Sequence, residues 1–494
     1  MNVFHAIDMA RLDQYAIEEK GIPQDVLMER ASLGVVKYIL EKNPSSVLIC
    51  CGGGNNGADG LTVGRILEEK GFSTRAKLLK RPEECKESVQ RKYKDYINAG
   101  GKEFDESEAL EFDLIVDAVY GVGFSGTLKE SAKAFVEFIN HKAIEDHSFV
   151  VAVDMPSGID TDTGAAEICV KAELTVTFTA LKSGLILPPG RNFAGEIKVE
   201  SIGIDDLKPE GVCFDNFGFF DEKPKLKLRN PAGNKGTFHR VALIAGSKDM
   251  AGALALSAES ALRSGCGLLE VFTHEKNREI LLSRLPEAIV HTYNDFEDFL
   301  KEAENLKRAD IIVVGPGLSQ SVGSKEIVSY VLNNLEKPLV LDADAINIIA
   351  EGELKPALKE YAKKNTVIMT PHPAELSRLT GRKVSELLSD YESAVKETAE
   401  EYGIILVGKG QTTLVSDGKS VYFNLSGCDA MATAGSGDVL SGMMGSFAIN
   451  EESPFMGVCL AVYAHGLAGE AAAEEYGHRG TIAGDIARAI KTLE

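Results

Sequence analysis

Short apolar runs that end in a polar, glycine-rich turn and continue as a helical pattern recur along almost the whole chain. In the first half, Val47–Cys51 leads into the turn 52–60 and then into a helix, and further strands are predicted at 74–79, 112–118 and 148–154. Alternating strands and helices of this kind form a mainly parallel sheet with helices on both faces. The pattern therefore predicts an α/β fold whose ligand sites lie beyond the carboxyl ends of the strands.

The alternation of strands and helices is interrupted between about 203 and 237, and a second series begins with the strand 239–245. At 494 residues the chain exceeds the size at which a single core keeps growing. We therefore expect two three-layer α/β/α domains, one over residues 1–211 and the other over residues 212–494.

The segment 434–442 places three glycines and two serines around one acid, Asp438, and apolar residues at helical spacing follow. Backbone N–H groups at a helix N-terminus favour phosphate oxygens. An acid there would repel a phosphate unless it takes the proton of a hydroxyl that attacks the phosphorus, which makes Asp438 a candidate general base. The alternative is that Asp438 only completes the first turn of the helix.

Two further strand ends in the second half carry candidate ligand-binding residues. Lys409 and the polar residues after it suit a nucleotide phosphate or ribose, although a lysine in a turn is commonly only solvated. Glu375 could hold Mg²⁺ through water, whereas its alternative role is that of a favourable acid in a first helical turn. His372 stands at the same predicted sheet edge, where a lone histidine is more often structural.

The first half contains Gly52-x-Gly54-x-x-Gly57, the fingerprint of a dinucleotide-binding turn, in a strand-turn-helix context. The second part of that fingerprint is missing, because Lys80 and Arg81 stand where an acid for the ribose hydroxyls is expected. The pattern disfavours a standard NAD site, although Lys80 would suit a ribose phosphate.

Polar side chains follow three strands of the first half: Asn56 and its neighbours, Asp117, and Asp154. Because the carboxyl ends of parallel strands share one edge of the sheet, these groups should converge. Amide, carboxylate and hydroxyl oxygens together suit a hard cation. Taken singly, each Asp could instead be a helix cap or an Asx turn.

Composition excludes several classes of partner. The formal net charge of -21 argues against a nucleic-acid or an anionic membrane partner, since both need a basic face. The absence of an N-terminal apolar signal core and of a long uninterrupted apolar run leads us to expect a cytoplasmic protein. The eight cysteines form no C-x-x-C pair and are more typical of reduced core residues than of disulfides or zinc ligands.

The motifs of the second half, taken in order, resemble a known family. Residues 315–318 (GPGL), 370–375 (TPHPAE), 409–410 (KG) and 434–440 (AGSGDVL) are similar to those of the ADP- or ATP-dependent NAD(P)H-hydrate dehydratases of the ribokinase-like superfamily. The resemblance implies a ribokinase-like fold over this half. It also implies dehydration of the S hydrate of NADH or NADPH with ADP or ATP, forming AMP or ADP and phosphate.

The first half resembles NAD(P)H-hydrate epimerase, a Rossmann-like fold, through residues 54–60 (GNNGADG), 117–118 (DA), 121–123 (GVG) and 154–158 (DMPSG). That resemblance implies interconversion of the R and S hydrates. Together, the two resemblances cover nearly the whole chain and imply a bifunctional metabolite-repair enzyme. Its partners would be NAD(P)H hydrates and an adenine nucleotide, with no nucleic acid and no membrane, and we expect a homo-oligomer.

The resemblance also implies site residues. In the dehydratase domain, Asp438 would be the base, and Mg²⁺ would accompany the nucleotide. The transferred phosphate would lie at Gly435, Ser436 and Gly437, the nucleotide at Lys409, Gly410, Gln411, Thr412 and Thr413, and the hydrate at Ala253, Gly317 and His372. In the epimerase domain, K⁺ would be held by Asn56, Asp117 and Ser157. The hydrate there would lie at Asn55, Asn56, Gly57, Ala58, Asp59, Gly121, Val122, Gly123, Phe124, Ser125, Gly126 and Thr127, with Asp154 as the candidate for proton transfer.

Two other functions compete with this interpretation. One is a small-molecule kinase of the ribokinase-like superfamily fused to a ligand-binding Rossmann-like domain, since its loop and base would be the same. Its product would stay phosphorylated. The other is a non-catalytic scaffold role for the first half, as in an RNA-associated relative, which the acidic charge and the intact 55–59 loop disfavour.

Overall fold

A computed structural model describes residues 1–220, Pro224, 230–449 and 453–491. The chain divides into two compact units, unit 1 over Met1–Asn216 and unit 2 over Phe217–Glu494. This division falls inside the stretch where the sequence pattern is interrupted, slightly beyond residue 211.

Unit 1 alternates strands and helices as the sequence predicts. Its strands are β1 (Val3–Phe4), β2 (Ser46–Cys51), β3 (Ser73–Leu78), β4 (Lys102–Glu103), β5 (Leu114–Ala118), β6 (Phe149–Val153), β7 (Leu174–Phe178), β8 (Leu181–Lys182) and β9 (Glu196–Glu200). Its helices are α1 (Ala6–Glu18), α2 (Gln24–Lys42), α3 (Asn55–Glu69), α4 (Glu87–Asn98), α5 (Glu130–Asp146) and α6 (Ser183–Ile186).

Seven strands of unit 1 form one sheet in the order β4-β3-β2-β5-β6-β7-β9, and every pairing in it is parallel. The central strand β2 shows why both faces are covered. Val47, Ile49 and Cys51 belong to one buried cluster, whereas Leu48 and Cys50 belong to another. Successive side chains of a strand point to opposite faces, so an unbroken apolar run requires packing on both sides.

Unit 2 contains the remaining elements. Its strands are β10 (Asn216–Phe217, at the division), β11 (Arg240–Ile244), β12 (Leu268–His274), β13 (Ile289–Tyr293), β14 (Ile311–Val314), β15 (Leu339–Leu341), β16 (Val367–Met369), β17 (Ile405–Gly408), β18 (Leu414–Ser416) and β19 (Val421–Phe423). Its helices are α7 (Ala251–Arg263), α8 (Arg278–Arg284), α9 (Phe296–Glu302), α10 (Val322–Asn334), α11 (Asp344–Ala350), α12 (Lys355–Ala362), α13 (Pro373–Thr380), α14 (Val384–Ser389), α15 (Tyr391–Tyr402), α16 (Ser436–Phe447), α17 (Pro454–Tyr476) and α18 (Ala483–Arg488).

The sheet of unit 2 has the order β10-β19-β18-β17-β16-β15-β14-β11-β12-β13. Its strands from β17 through β13 in that order pair in parallel, and β18 and β19 continue it as an antiparallel hairpin. The prediction of two α/β domains with mainly parallel sheets is confirmed.

The helices α16 and α17 lie in the core of unit 2. Val439, Met443 and Phe447 of α16 are buried, as their helical spacing predicts. By length and composition, α17 could cross a membrane, but 72% of its most apolar window is buried inside the protein, which is typical of a core helix. The last helix, predicted over 482–493, covers Ala483–Arg488, and positions 492 and 493 lie outside the described residues.

Candidate functional site

The chain of unit 1 changes direction beside β2. From β2 it proceeds to β3 and β4 on one side, and it then returns to β5 on the other side. In an open parallel sheet, the crevice at such a reversal lies outside the carboxyl ends of the two central strands, where ligands bind. The turns after β2 and β5 border this crevice.

The turn after β2 depends on a close approach of backbone to backbone. A Cβ placed on Gly57 would lie 1.9 Å from the carbonyl oxygen of Gly52. Any other residue at this position would push the turn open. Gly57 therefore allows the first turn of α3 to pack directly against the backbone of Gly52, and α3 begins at Asn55.

A cavity of about 540 Å³ opens at this crevice. Eight of the residues predicted for the hydrate site line it, namely Asn55, Asn56, Asp59, Gly121, Val122, Gly123, Phe124 and Asp154. The other predicted residues, Gly57, Ala58, Ser125, Gly126 and Thr127, lie outside its lining. Ala58 is buried, whereas residues 125–127 form an exposed part of the loop.

Asp154 and Lys182 form a buried ion pair on the wall of this cavity. The Lys182 ammonium donates to Asp154 Oδ1 over 2.7 Å, to Thr177 Oγ1 over 2.7 Å and to the Phe178 carbonyl over 2.8 Å. The other carboxylate oxygen, Oδ2 of Asp154, accepts a hydrogen bond from the Val122 N–H. The carboxylate of Asp154 is thus fixed beside the ammonium of Lys182, and both residues line the cavity.

The backbone of Asp154 is in the left-handed region, with φ of +67°. Residues other than glycine rarely adopt this conformation, and in folded proteins it concentrates at functional sites. It occurs directly after β6, where the chain turns across the carboxyl edge of the sheet. The turn presents the Asp154 side chain to the cavity.

Two more carboxyl groups face the same cavity. Burial raises the pKa of Asp13 to about 6, with Asp154 raising it further and Lys182 opposing the shift. Burial, with Asp154 and Asp13 nearby, also raises the pKa of Asp59 well above its usual range. The cavity therefore combines two carboxyl groups of raised pKa with the contact between the Asp154 carboxylate and Lys182.

Of the three residues predicted to bind K⁺, Asn56 lies in the wall of the cavity, whereas Asp117 and Ser157 lie outside its lining. Asp117 and Ser157 are buried and bonded to each other, since Ser157 donates its hydroxyl to Asp117 Oδ1 over 2.6 Å and its N–H to Oδ2 over 2.7 Å. Both lie outside the cavity lining. Burial raises the pKa of Asp117 to about 6 against the effect of these hydrogen bonds.

Asn56 lies in the wall of the cavity, and its amide nitrogen is buried. No group in the described part of the chain accepts a hydrogen bond from this nitrogen. The two ends of a side-chain amide are assigned from their hydrogen bonds, and a rotated amide would present its oxygen at the same position. An amide oxygen there is a suitable ligand for a cation.

In unit 2 the chain reverses direction between β11 and β14. The turn after β11 bonds to the turn after β14, with the Ser247 N–H donating to the Gly317 carbonyl over 2.6 Å. A Cβ placed on Gly317 would lie 3.0 Å from the Cβ of Ala253. Two of the three residues predicted for the hydrate pocket are therefore adjacent, at the reversal between β11 and β14.

The loop predicted to bind phosphate, residues 434–437 and called the phosphate loop below, leads into α16. Gly435 has φ of +92°, which a residue with a side chain rarely adopts, and the helical hydrogen bonds begin with the Val439 N–H donating to the Gly435 carbonyl. The N–H groups of the first helical turn point away from the helix. The loop thus has the backbone geometry of an anion site.

Asp438 lies in the first turn of α16 and is half-buried. Burial raises the pKa of Asp438 to about 6; the nearby Asp342 carboxylate raises it further, and the Lys409 ammonium lowers it. A carboxylate with this pKa is a stronger base than an exposed one and is still ionised at neutral pH. These are the properties required of a general base.

Lys409 is held in place by Asp342, which no sequence motif marks. Its ammonium lies 2.9 Å from Asp342 Oδ1 and 3.9 Å from Glu375 Oε2. A Cβ placed on Gly437 would lie 3.4 Å from that ammonium, so Lys409 reaches the phosphate loop. Asp342 also accepts hydrogen bonds from Thr370, over 2.6 Å, and from Ser441 of α16.

Glu375 and His372 cap the start of α13. The His372 N–H donates to Glu375 Oε2 over 2.9 Å, and the Ala374 N–H donates to His372 Nδ1 over 3.1 Å. The capping alternative considered for Glu375 is thus present. Burial nevertheless raises the pKa of Glu375 to about 7, so this carboxyl also differs from an ordinary surface acid.

Other residues around the phosphate loop differ in exposure. Within the predicted nucleotide segment, Gly410 and Gln411 are exposed, Thr413 is half-buried and Thr412 is buried.

His465 of α17 is buried, with Nε2 3.5 Å from Ser436 Oγ, and burial lowers its pKa to about 4. A neutral histidine thus lies against the phosphate loop, in a sequence context without any motif.

Two family models match this chain, one within each of its two compact units. A family model described as NAD(P)H-hydrate dehydratase matches residues 241–492, and one described as the YjeF-related protein N-terminus matches residues 24–184.

The relatives of this chain match over its whole length. A bifunctional NAD(P)H-hydrate repair enzyme Nnr from Moorella thermoacetica is 34% identical, with 98% of this chain and 95% of the relative covered. The enzyme of the same name from Escherichia coli is 33% identical, with 99% and 93% covered. Among solved structures, an ADP/ATP-dependent NAD(P)H-hydrate dehydratase from Bacillus subtilis, co-crystallised with ATP/Mg²⁺, is 31% identical over 55% of this chain and 93% of that one, with a TM-score of 0.48.

Proposed function

The chain belongs to the family of bifunctional NAD(P)H-hydrate repair enzymes, and we propose on that basis which of its residues perform each reaction. Unit 1 epimerises the R and S hydrates of NADH and NADPH, and unit 2 dehydrates the S hydrate with ADP or ATP. The observation that carries the assignment in unit 2 is the half-buried Asp438 beside Lys409 at the N-terminus of α16.

The chemistry of unit 2 follows from the poor leaving ability of hydroxide. Asp438 takes the proton of the hydrate hydroxyl while that oxygen bonds to the terminal phosphorus of the nucleotide, and the bond from phosphorus to the nucleotide breaks. Phosphate is then expelled by the electron pair of the ring nitrogen. Loss of a proton from the neighbouring ring carbon restores the dihydronicotinamide.

The charge around the phosphate loop supports a divalent cation. Asp342, Glu375 and Asp438 lie around the Lys409 ammonium, and these three carboxyl groups would repel the nucleotide phosphates. Mg²⁺ would supply the positive charge that offsets the charge of the nucleotide phosphates. Glu375 is the carboxylate that we assign to it, through water, while Lys409 and the loop N–H groups hold the transferred phosphate.

The base assignment predicts a pH profile. Since Asp438 acts when deprotonated, kcat/KM for the nucleotide should rise with pH up to about 6 and then level off. Asp342→Asn removes a negative neighbour and should move this rise to lower pH. Lys409→Met removes a positive neighbour and should move the rise to higher pH.

The opposite directions of these two shifts are the test, because a general loss of folding cannot produce both. Asp310→Asn serves as the control, since Asp310 is an exposed acid of unit 2 whose carboxylate lies 3.9 Å from His239. Shifts of the same sign in the Asp342 and Lys409 variants would contradict the assignment of Asp438 as the group that titrates.

In unit 1, the Asp154–Lys182 pair supports an acid–base reaction at one carbon of the hydrate. In the reaction proposed here, a proton is delivered to the hydroxyl oxygen and the electron pair of the ring nitrogen expels it as water. Water then adds to the opposite face of the resulting iminium carbon and loses a proton. A fixed carboxylate and a fixed ammonium 2.7 Å apart can take and give that proton. Asp13 and Asp59 complete the acid surroundings of the cavity.

The proposal for unit 1 includes a monovalent cation beside this cavity. The buried amide nitrogen of Asn56 lacks a partner among the described residues, and the raised pKa of Asp117 marks a carboxylate that a cation would stabilise. We assign K⁺ to Asn56, Asp117 and Ser157. When bound, K⁺ supplies a positive charge beside the loops that hold the hydrate.

Asn56→Ala should therefore remove the dependence of epimerisation on K⁺ and leave dehydration of the S hydrate unchanged. The measurement is the epimerisation rate across a series of KCl concentrations at constant ionic strength. Asn98→Ala, at the exposed end of α4, provides the matched control. An unchanged K⁺ dependence in the Asn56 variant would return this residue to a structural role.

The whole assignment is tested with racemic hydrate and ADP or ATP. We expect the absorbance of the dihydronicotinamide to return, with one phosphate released for each hydrate consumed. A stable phosphoester without recovery of that absorbance would instead support a small-molecule kinase.

A further inference from the structure

Three side chains with a sulfur, an oxygen and a nitrogen ligand atom meet at the surface of unit 2. They belong to Cys428, Asp429 and His478, and their ligand atoms all lie within 4.8 Å of one another. Cys428 is half-buried, while the side chains of Asp429 and His478 are exposed. None of these residues takes part in the reactions proposed above.

The segment that carries Cys428 is fixed against α17. The Gly427 N–H donates to Oε1 of Glu470 over 2.7 Å, and the Cys428 thiol donates to the carbonyl of Gly469 over 3.7 Å. Both acceptors belong to α17. Contacts with α17 therefore fix the position of the thiol independently of the exposed side chains of Asp429 and His478.

The segment that carries His478 is fixed at the end of the same helix. The Gly477 carbonyl accepts the N–H of Gly480 over 3.1 Å and the hydroxyl of Thr481 over 2.9 Å. These bonds close a tight turn around His478. Because α17 anchors both segments, the ligand atoms are brought together at little further cost in conformational entropy.

His478 Nδ1 and Asp429 Oδ1 are in direct contact as an ion pair. Exposed ion pairs are common and contribute little stability. The thiol beside this pair is what distinguishes the cluster from an ordinary surface salt bridge.

We propose that Cys428, Asp429 and His478 bind a divalent transition ion of the zinc type, with water as the fourth ligand. Thiolate, imidazole and carboxylate are the ligands that Zn²⁺ takes in tetrahedral sites, whereas Mg²⁺ prefers oxygen ligands alone. On binding, the Cys428 thiol releases its proton to solvent, and so does Nδ1 of His478, which shares a proton with Asp429, while Nε2 keeps its own proton. The thiolate, Nδ1 and the Asp429 carboxylate then bond to the ion in place of the contact between His478 and Asp429.

The ion would connect two parts of unit 2 that border the phosphate loop. The short helical turn Asp429–Met431 leads along the chain to Gly435, and His478 follows the end of α17. An ion bound between them would fix the approach to the phosphate loop. Its role is therefore structural, and this inference does not depend on the proposed reactions.

The test uses full-length protein freed of metal by a chelator and titrated with Co²⁺ in excess Mg²⁺, which occupies oxygen-only sites. We expect one Co²⁺ per chain, with the intense thiolate-to-metal absorption of a sulfur ligand and the visible bands of tetrahedral geometry. One equivalent of Zn²⁺ should displace the Co²⁺. Cys428→Ser should abolish the thiolate absorption, and His478→Ala should weaken binding by about 10- to 100-fold or more.

Two matched controls separate this site from adventitious binding. Cys213→Ser removes the other half-buried thiol, and His239→Ala removes the histidine of another exposed histidine–aspartate pair. Both variants should bind Co²⁺ as the unaltered chain does. Binding without thiolate absorption in the unaltered chain, or the same absorption in Cys428→Ser, would overturn the proposal.

Discussion

Replacing Asp438 by Asn should lower the turnover of nucleotide-dependent dehydration by about 10²- to 10⁴-fold, the range typical for removal of a general base. The amide keeps the shape of the side chain and can still occupy the first turn of α16. It cannot accept the hydroxyl proton of the hydrate. Nucleotide affinity should stay the same or increase, because one negative charge beside the phosphates is lost.

The same variant separates catalysis from capping. In the first turn of a helix, replacing Asp by Asn loses a charge–dipole interaction of only about 0.3–1 kcal/mol, so a purely structural Asp438 predicts nearly full activity. Dehydration rate and nucleotide affinity should both be measured, with epimerisation of the same sample as the control for an intact chain. Turnover close to that of the unaltered enzyme would remove Asp438 from the mechanism.

Asp154→Asn should reduce epimerisation by a similar factor of about 10²- to 10⁴-fold while dehydration of the S hydrate continues. Asn tolerates the left-handed backbone found at this position, with φ of +67°, so the turn after β6 should survive. The exchange of R and S hydrate should be followed without nucleotide, so that unit 2 cannot consume the S form.

Loss of the Asp154 charge leaves the buried ammonium of Lys182 without its anion, and breaking such a pair destabilises a protein by about 3–5 kcal/mol. The double variant Asp154→Asn/Lys182→Met removes both charges and controls for this effect. We expect it to recover thermal stability without recovering epimerisation. Recovery of the reaction together with stability would show that the pair is structural.

The sequence pattern was sufficient to predict the architecture and the edge of the sheet at which the predicted site residues of the first half lie. Apolar runs ending in glycine-rich turns correspond to parallel strands, and the polar turns after β2, β5 and β6 border one cavity. This works because strand direction and the reversal of the chain determine which loops meet. The buried stripe of α16 was likewise readable from its helical spacing.

The partners of the predicted residues could not be found in the same way. Lys182 and Asp342 have no local motif, and each gains its role from a side chain far along the chain, Asp154 in one case and Lys409 in the other. Asp13 and His465 owe their altered pKa values to burial, which depends on tertiary packing. Only the folded chain brings such pairs together.

Short strands at the sheet edges were also missed. Ile289–Tyr293 forms the edge strand β13, although His291 and Thr292 interrupt its apolar character. His291 is accommodated by hydrogen bonds to Glu270 and Glu302 and by stacking on Phe272. Partners of this kind on neighbouring elements cannot be read from a five-residue segment.

The central claim is that two independent sites on one chain act in sequence, and mixing two inactive variants tests it most directly. With the R hydrate and nucleotide supplied, Asp154→Asn alone lacks the first reaction and Asp438→Asn alone lacks the second. An equimolar mixture should regenerate the dihydronicotinamide absorbance at a rate approaching that of the unaltered enzyme. A mixture no faster than either variant by itself would contradict the account.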